Sequence, residues 1–262
     1  MWKPPSGTLG DLVTAAHERA RLLPDVMVGQ IGGIEDPFAS SLRGDTVAVI
    51  AEVKRKSPSK GSINPGMNSA SQARVYEAGG ASAISVLTEP TRFGGRLEDI
   101  EAVFDTARLP ILAKDFHVHE AQLLHAKAAG AMAALLIVRA VEPARLAELA
   151  DIARTIKLEP LFEIRDELEL EVALQAGAKI IGVNNRNLET LEIDEGTVDR
   201  ILPLIPTGIV AVAESGYTSR ESVERAAAAG ADAVLIGSLL SAASDPAATL
   251  KGLLGIPKAS RD

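Results

Sequence analysis

The feature that most constrains this chain is a repeated junction: the end of an Ala-rich helix, a glycine, then a short β-branched run. It occurs as YEAGGASAISVL, HAKAAGAMAALLIV, ALQAGAKIIGV and AAAAGADAVLIG. A glycine at such a point stops a helix in a left-handed cap, and the apolar run that follows at once reads as a buried strand. The glycines are Gly80, Gly130, Gly177 and Gly230, spaced 50, 47 and 53 residues apart. One strand–helix unit takes roughly 25–30 residues, so each interval holds two units. The strands in between are visible as VAVIAEVK, PILAKDF, EPLFEI and GIVAVAES. Helix-period stretches alternate with them near 69–79, 97–107, 119–129, 143–156, 166–176, 194–202, 218–229 and 245–254. Eight strands alternating with eight helices call for parallel strands and right-handed crossovers. Such regular quasi-repetition over 262 residues predicts an α/β fold, a single closed (β/α)8 TIM barrel rather than an open doubly wound sheet.

The expected layout is one domain over 1–262, with an N-terminal helical extension at 1–46 and the barrel at 47–262. Thr8 reads as the N-cap of a helix reaching about Leu23. A loop rich in Gly, Asp and Pro follows, and FASSLRG adds a helical turn. The extension has two natural resting places: plugging the N-terminal mouth of the barrel or covering its active face.

Composition narrows the function classes. Aromatics are only 3%, so Ala, Leu, Ile and Val must fill the interior, as barrel layers allow. A net charge of −8 argues against a broad nucleic-acid surface and leaves room for a local cationic cluster facing a phosphorylated metabolite. No cysteine is present, which removes thiol chemistry, and the four histidines lack ligand spacing, so no metal is assigned to them. The longest apolar stretch, 126–138, is broken by Lys127 and falls short of the ~18 residues a membrane span needs. No leader-like apolar run opens the chain. A cytoplasmic monomer with a small-molecule phosphorylated substrate, and with neither membrane nor nucleic acid as partner, is the expectation.

Barrel chemistry gathers at the C-terminal ends of strands, and charged residues interrupt the strands there. Ile50, Glu52 and Lys54 share one face by the period of two, which sends Glu52 and Lys54 together to the mouth. Alone, that pair reads equally well as a structural ion pair. Lys114 ends the third strand, Glu163 lies on the fifth, Asn184 and Arg186 on the sixth, and Glu214 and Ser215 on the seventh. Burying so many charges together is costly unless they pair or serve a ligand. The turns SGY and IGS precede helical segments, so Gly216, Gly237 and Ser238 offer free backbone N–H groups to an anion. The loop KRKSPSKGSINPG adds cations beside the mouth, where Arg55 and Ser57 are candidate contacts.

The motifs IAEVKRKSPSKG, ISVLTEPTRFGG, PILAKDF, EPLFEI, IIGVNNRNL, VAESGY and AVLIGS, in this order and spacing, resemble those of indole-3-glycerol-phosphate synthases. The resemblance runs from about Phe38 to the C-terminus. It implies closure of 1-(2-carboxyphenylamino)-1-deoxyribulose 5-phosphate to indole-3-glycerol phosphate with loss of carbon dioxide and water, and no organic cofactor or metal. By the same resemblance Lys114 is the general acid and Glu163 the base. Lys54 binds the substrate carboxylate and can protonate the leaving hydroxyl, and Glu52 and Glu214 hold the lysines. Asn184 and Ser215 bind substrate hydroxyls, Arg186 sits near the anthranilate carboxylate, and Phe93 and Phe116 flank the aromatic ring. Departures such as Arg96, Ala113 and Met132 lie beside these positions. Two other readings stay open here. One is another phosphate-binding barrel enzyme of tryptophan biosynthesis, although an isomerase would call for a Cys–Asp pair. The other is a non-catalytic barrel that binds a phosphometabolite.

Overall fold

Gly80, Gly130, Gly177 and Gly230 all take positive φ, from +72° to +105°, and each stands between a helix and the next strand. The repeated junction is therefore a left-handed stop that turns the chain back into the sheet. The computed structural model describes residues 2–28, 36–59 and 61–261. Part of the expected Gly/Asp/Pro loop and Lys60 lie outside the described residues.

The barrel strands are β1 (Ala48–Val53), β4 (Ala83–Leu87), β5 (Ile111–Lys114), β6 (Ala133–Ile137), β7 (Glu159–Ile164), β8 (Ile180–Asn184), β9 (Val210–Glu214) and β10 (Ala233–Ile236). All pair in parallel, and β1 bonds to both β10 and β4, which closes the ring. Their residues are buried almost without interruption, as strands covered on both faces require. Helices α3 (Ser69–Gly79), α4 (Glu98–Phe104), α5 (Glu120–Ala128), α6 (Pro143–Thr155), α7 (Glu167–Gln175), α8 (Gly196–Ile201), α9 (Arg220–Ala228) and α11 (Pro246–Lys251) follow the expected stretches within a few residues. Side-chain caps mark several starts: Asn68, Asp166, Ser219 and Asp245 each accept a backbone N–H of the first turn.

Two elements escape the periodic reading. A small antiparallel hairpin, β2 (Lys56–Ser57) with β3 (Gly61–Ser62), shapes the loop after β1. A short helix, α10 (Ser238–Ala242), begins where β10 ends.

The N-terminal extension occupies both resting places. Helix α1 (Gly7–Ala20) starts one residue before the expected cap, so Thr8 lies inside it and Ser6 holds the cap position. The Thr8 N–H is used instead on the Glu189 carbonyl at 3.1 Å. The helix stops short of Leu23 because Leu23 precedes Pro24, and residues before proline avoid the helical region. Leu9, Leu12, Val13 and Ala16 are buried against the barrel top, and Arg19 reaches Asp115 at 2.7 Å, just past β5. Helix α2 (Pro37–Ser41) sits at the opposite end. The Phe38 and Ala39 N–H groups donate to the Glu159 carboxylate, which opens β7, at 2.6 and 2.8 Å. No helix among the described residues is long and apolar enough to cross a membrane.

Candidate active site

The first strand carries Glu52 and Lys54 to the mouth as its alternation requires, and Lys54 Nζ meets Glu52 Oε1 at 3.1 Å. The Glu52 side chain is almost wholly buried. Two helices hold its backbone: the hydroxyls of Tyr76 on α3 and Ser241 on α10 both donate to the Glu52 carbonyl, at 3.1 and 3.2 Å. Gly237 makes the carboxylate's position available, because a Cβ there would stand 2.3 Å from Glu52 Oε1.

Lys114 is the centre of the charge cluster. Its Nζ lies 3.0 Å from Glu163 Oε2 and 2.9 Å from Glu214 Oε2. Burial works against the ammonium, but the charges of Glu163, Glu214 and Glu52 outweigh it and hold its pKa above the ordinary lysine value. Three carboxyl groups face two ammonium groups in this buried volume, one negative charge too many. The excess falls on Glu214. Burial pushes its carboxyl upward, and neighbouring Glu163 adds to that against the pull of Lys114. Glu214 Oε1 is buried with no hydrogen-bond partner among the described residues, so Lys114 at Oε2 alone opposes the cost of burying its charge. It fits only because position 182 lacks a side chain: a Cβ on Gly182 would sit 2.1 Å from it.

These groups floor a cleft with about 740 Å³ of empty space, lined by Glu52, Lys54, Ser57, Phe93, Lys114, Phe116, Glu163, Asn184, Arg186, Ser215 and Ser238, with Thr8 and Leu12 of α1 on its wall. Its mixture of apolar walls and convergent polar groups is what a small-ligand site needs. Phe93 and Phe116 stand 6.3 Å apart at a tilt, and Lys54 Nζ lies 5.7 Å from the Phe93 ring. Asn184 Oδ1 accepts the Arg186 N–H, while the Arg186 guanidinium donates to the Leu191 carbonyl.

Four expected residues stand elsewhere. Glu214 lies beneath the cleft against Lys114, and Gly237 lies under Glu52 and Lys54. Gly216 borders a neighbouring hollow with Asn185, Tyr217 and Asp199. Arg55 borders a separate hollow with Gly66, Met67 and Asn68. Its fork is held by Asp99 at 2.5 and 2.7 Å, and it also donates to the Met67 carbonyl. A carboxylate matched to both ends of a guanidinium is a stronger partner than a loop can offer, so Arg55 ties the loop after β1 to α4.

Several working residues gave no sequence signal. Glu89 is fully buried and accepts the N–H groups of Thr91, Arg92 and Phe93, which fixes the loop presenting Phe93. Asp115 joins Thr88 to Arg19 of α1. Gly182, a glycine inside a strand, was the one legible hint, since such a glycine marks a close approach.

Comparison with known proteins matches this frame to one family. The family model described as indole-3-glycerol phosphate synthase covers residues 23–253. The chain belongs to the indole-3-glycerol phosphate synthase family. Indole-3-glycerol phosphate synthase 1 of Streptomyces coelicolor is 50% identical over 215 residues, spanning 82% of this chain and 80% of that relative. Synthase 2 of the same organism is 44% identical across 95% of this chain and 100% of its own length. Among solved structures, thiamine phosphate pyrophosphorylase from Pyrococcus furiosus superposes with a TM-score of 0.61 at 15% identity, over 82% of this chain and 95% of the other; this likeness concerns the fold alone. The activity is that of a decarboxylating lyase of tryptophan biosynthesis, closing the carboxyphenylamino-deoxyribulose phosphate to indole-3-glycerol phosphate. Its substrate is a small phosphorylated molecule.

Proposed function

We propose that the cleft performs this ring closure with Lys114 as first proton donor, Glu163 as base and Lys54 as carboxylate clamp. The observation that carries the reading is the Lys114 ammonium held between two carboxylates at the floor of the cleft. The aromatic carbon bearing the carboxylate attacks the ketone carbon, and the carbonyl electron pair moves to oxygen. That oxygen becomes an alkoxide far more basic than any amine, so even a firmly charged ammonium transfers its proton to it. Loss of carbon dioxide returns the electron pair of the broken bond to the ring. The hydroxyl then departs as water with a proton from Lys54, while Glu163 removes the proton whose loss completes the indole. Because the carboxylate leaves as neutral carbon dioxide, each turnover consumes one proton from solvent.

Phe93 and Phe116 flank the anthranilate ring in this reading, Arg186 approaches its carboxylate, and Asn184, Ser215 and Ser57 meet the substrate's polar chain. The phosphate is held by backbone N–H groups at Gly216, Gly237 and Ser238, where the last two barrel strands end. Every residue in these roles comes from one chain, which supports action as a monomer; the acidic charge and the phosphorylated metabolite fit a cytoplasmic enzyme without nucleic-acid partners. Extension and barrel act as one unit, since α1 walls the cleft.

The test follows indole fluorescence after mixing purified protein with the carboxyphenylamino-deoxyribulose phosphate. Lys114→Ala is expected to lose about 1,000-fold or more in kcat while substrate affinity stays within about threefold, as removal of a proton donor requires. A normal rate in that variant removes Lys114 from its role.

A further inference from the structure

Where β9 runs out, the backbone makes an unusual turn. Ser215 takes φ +67° and Gly216 takes φ +95°, two left-handed residues in succession. The first is costly for a side chain with a Cβ; the second is easy only because it is glycine. The peptide joining them is therefore prone to flip. Rotating that plane changes ψ of Ser215 and φ of Gly216, and the glycine offers no steric resistance to either sign of φ. Something must hold it.

The holder is Asn185, which is almost wholly buried and adjoins the mouth residue Asn184. Its Nδ2 donates to the Ser215 carbonyl at 3.1 Å, and its Oδ1 accepts the Val198 N–H of α8 at 3.0 Å. The second bond fixes the first. A backbone N–H can only face the oxygen of an amide, so the NH2 must face the Ser215 carbonyl. The backbone of Asn185 is anchored as well, donating to the Glu214 carbonyl at 3.0 Å and accepting the Asp194 N–H at 2.9 Å. In a trans peptide the carbonyl and the following N–H point in opposite directions. A carbonyl pinned toward Asn185 therefore turns the Gly216 N–H away from it, and that N–H has no acceptor among the described residues.

We propose that Asn185 is a positioning residue for phosphate recognition: by pinning the Ser215 carbonyl it aims the Gly216 N–H at the substrate phosphate. The proposal rests on the reading above that Gly216 is a phosphate donor. Asn185 touches no reacting atom. Its effect is confined to the phosphate end of the ligand, which separates it from a merely structural asparagine.

The experiment compares two probes, indole-3-glycerol phosphate and its dephosphorylated counterpart, indole-3-glycerol, by calorimetric titration of the full chain. The unmodified protein is expected to prefer the phosphorylated probe. Asn185→Ala should cut that preference about tenfold or more, the size of one charge-assisted hydrogen bond, while binding of indole-3-glycerol changes by less than about threefold. Asn185→Asp serves as a near-isosteric second variant that preserves packing should the alanine variant not fold. It sets a carboxylate oxygen against the Ser215 carbonyl and should cut the preference at least as far. If both probes weaken equally, or if the folded variants keep the full preference, the role assigned to Asn185 is wrong. If the unmodified protein shows no preference, the phosphate reading of the turns fails first, and with it the basis for the proposal.

Discussion

A methyl group on Gly182 would stand 2.1 Å from Glu214 Oε1 and 2.9 Å from Leu161 Cδ2, so the carboxylate, the leucine or the strand would have to shift. Moving Glu214 loosens one of the two carboxylates that hold Lys114. Gly182→Ala is expected to lower kcat about tenfold or more while leaving KM within about threefold, because the disturbed groups act in the chemical step. Steady-state kinetics measure this, and an unchanged kcat would mean that the slot beside Glu214 is idle. The Glu214 carboxyl itself, pushed up to about 8 chiefly by burial, sets a pH signature. As pH rises through that value the group loses its proton and adds a negative charge beside Lys114. The ammonium then holds its proton more tightly and becomes a poorer acid. The kcat/KM profile should therefore fall on the alkaline side with an apparent pKa of about 8, and Glu214→Gln should lack that limb. Retention of the limb in the glutamine variant would assign it to another group.

At the level of elements, α1 is the part whose position matters most to the cleft. The Glu189 carboxylate accepts from the Ser6 N–H at 2.7 Å and the Ser6 hydroxyl at 3.1 Å, and Arg139 reaches both Glu189 and the Lys3 carbonyl. This clasp joins the loops after β6 and β8 to the start of α1 and keeps Thr8 and Leu12 on the wall of the cleft. Glu189→Ala should raise KM about fivefold with a smaller change in kcat, and amide exchange over residues 8–16 should quicken. Unchanged exchange there would show that the clasp does not hold the helix. The sequence disclosed the barrel elements well because each carries its own signal: the left-handed glycines, the helix-period stretches and the continuous apolar strands. Glu52 and Lys54 were legible for the same reason, since a period of two is a local rule. The dependence of Glu214 on Gly182 was not, because it arises from the pairing of β8 with β9 and the way side chains pack across it. Nor was the role of Asn185, whose bonds run to Ser215 and Val198. The docking of α1 was hidden as well, for its partners Asp115, Arg139 and Glu189 lie more than 90 positions away in the chain.

Across the whole molecule, the two ends of the barrel divide the work. The proposed chemistry occupies the C-terminal face, while the opposite end is tied by residues such as Arg261. Arg261 pairs with Asp232 at 2.9 Å and donates to the carbonyls of Gly230 and Ile209, with little solvent exposure. Arg261→Ala leaves the two carbonyls without their guanidinium donor and Asp232 with only Lys258 and the Ala211 N–H, and is expected to cost about 1–3 kcal/mol of stability while kcat and KM stay unchanged. Denaturant melts paired with kinetics check this; a loss of activity in the folded variant would contradict the division. The clasp on α1 also bears on how the chain is made. The helix leaves the ribosome well before its partner, for its apolar stripe of Leu9, Leu12, Val13 and Ala16 awaits Glu189, about 180 residues downstream. At about 5–20 residues per second, the stripe stays uncovered for roughly 10–35 s of synthesis. In a living cell, the wall of the active site is thus made well before the residue that clasps it in place.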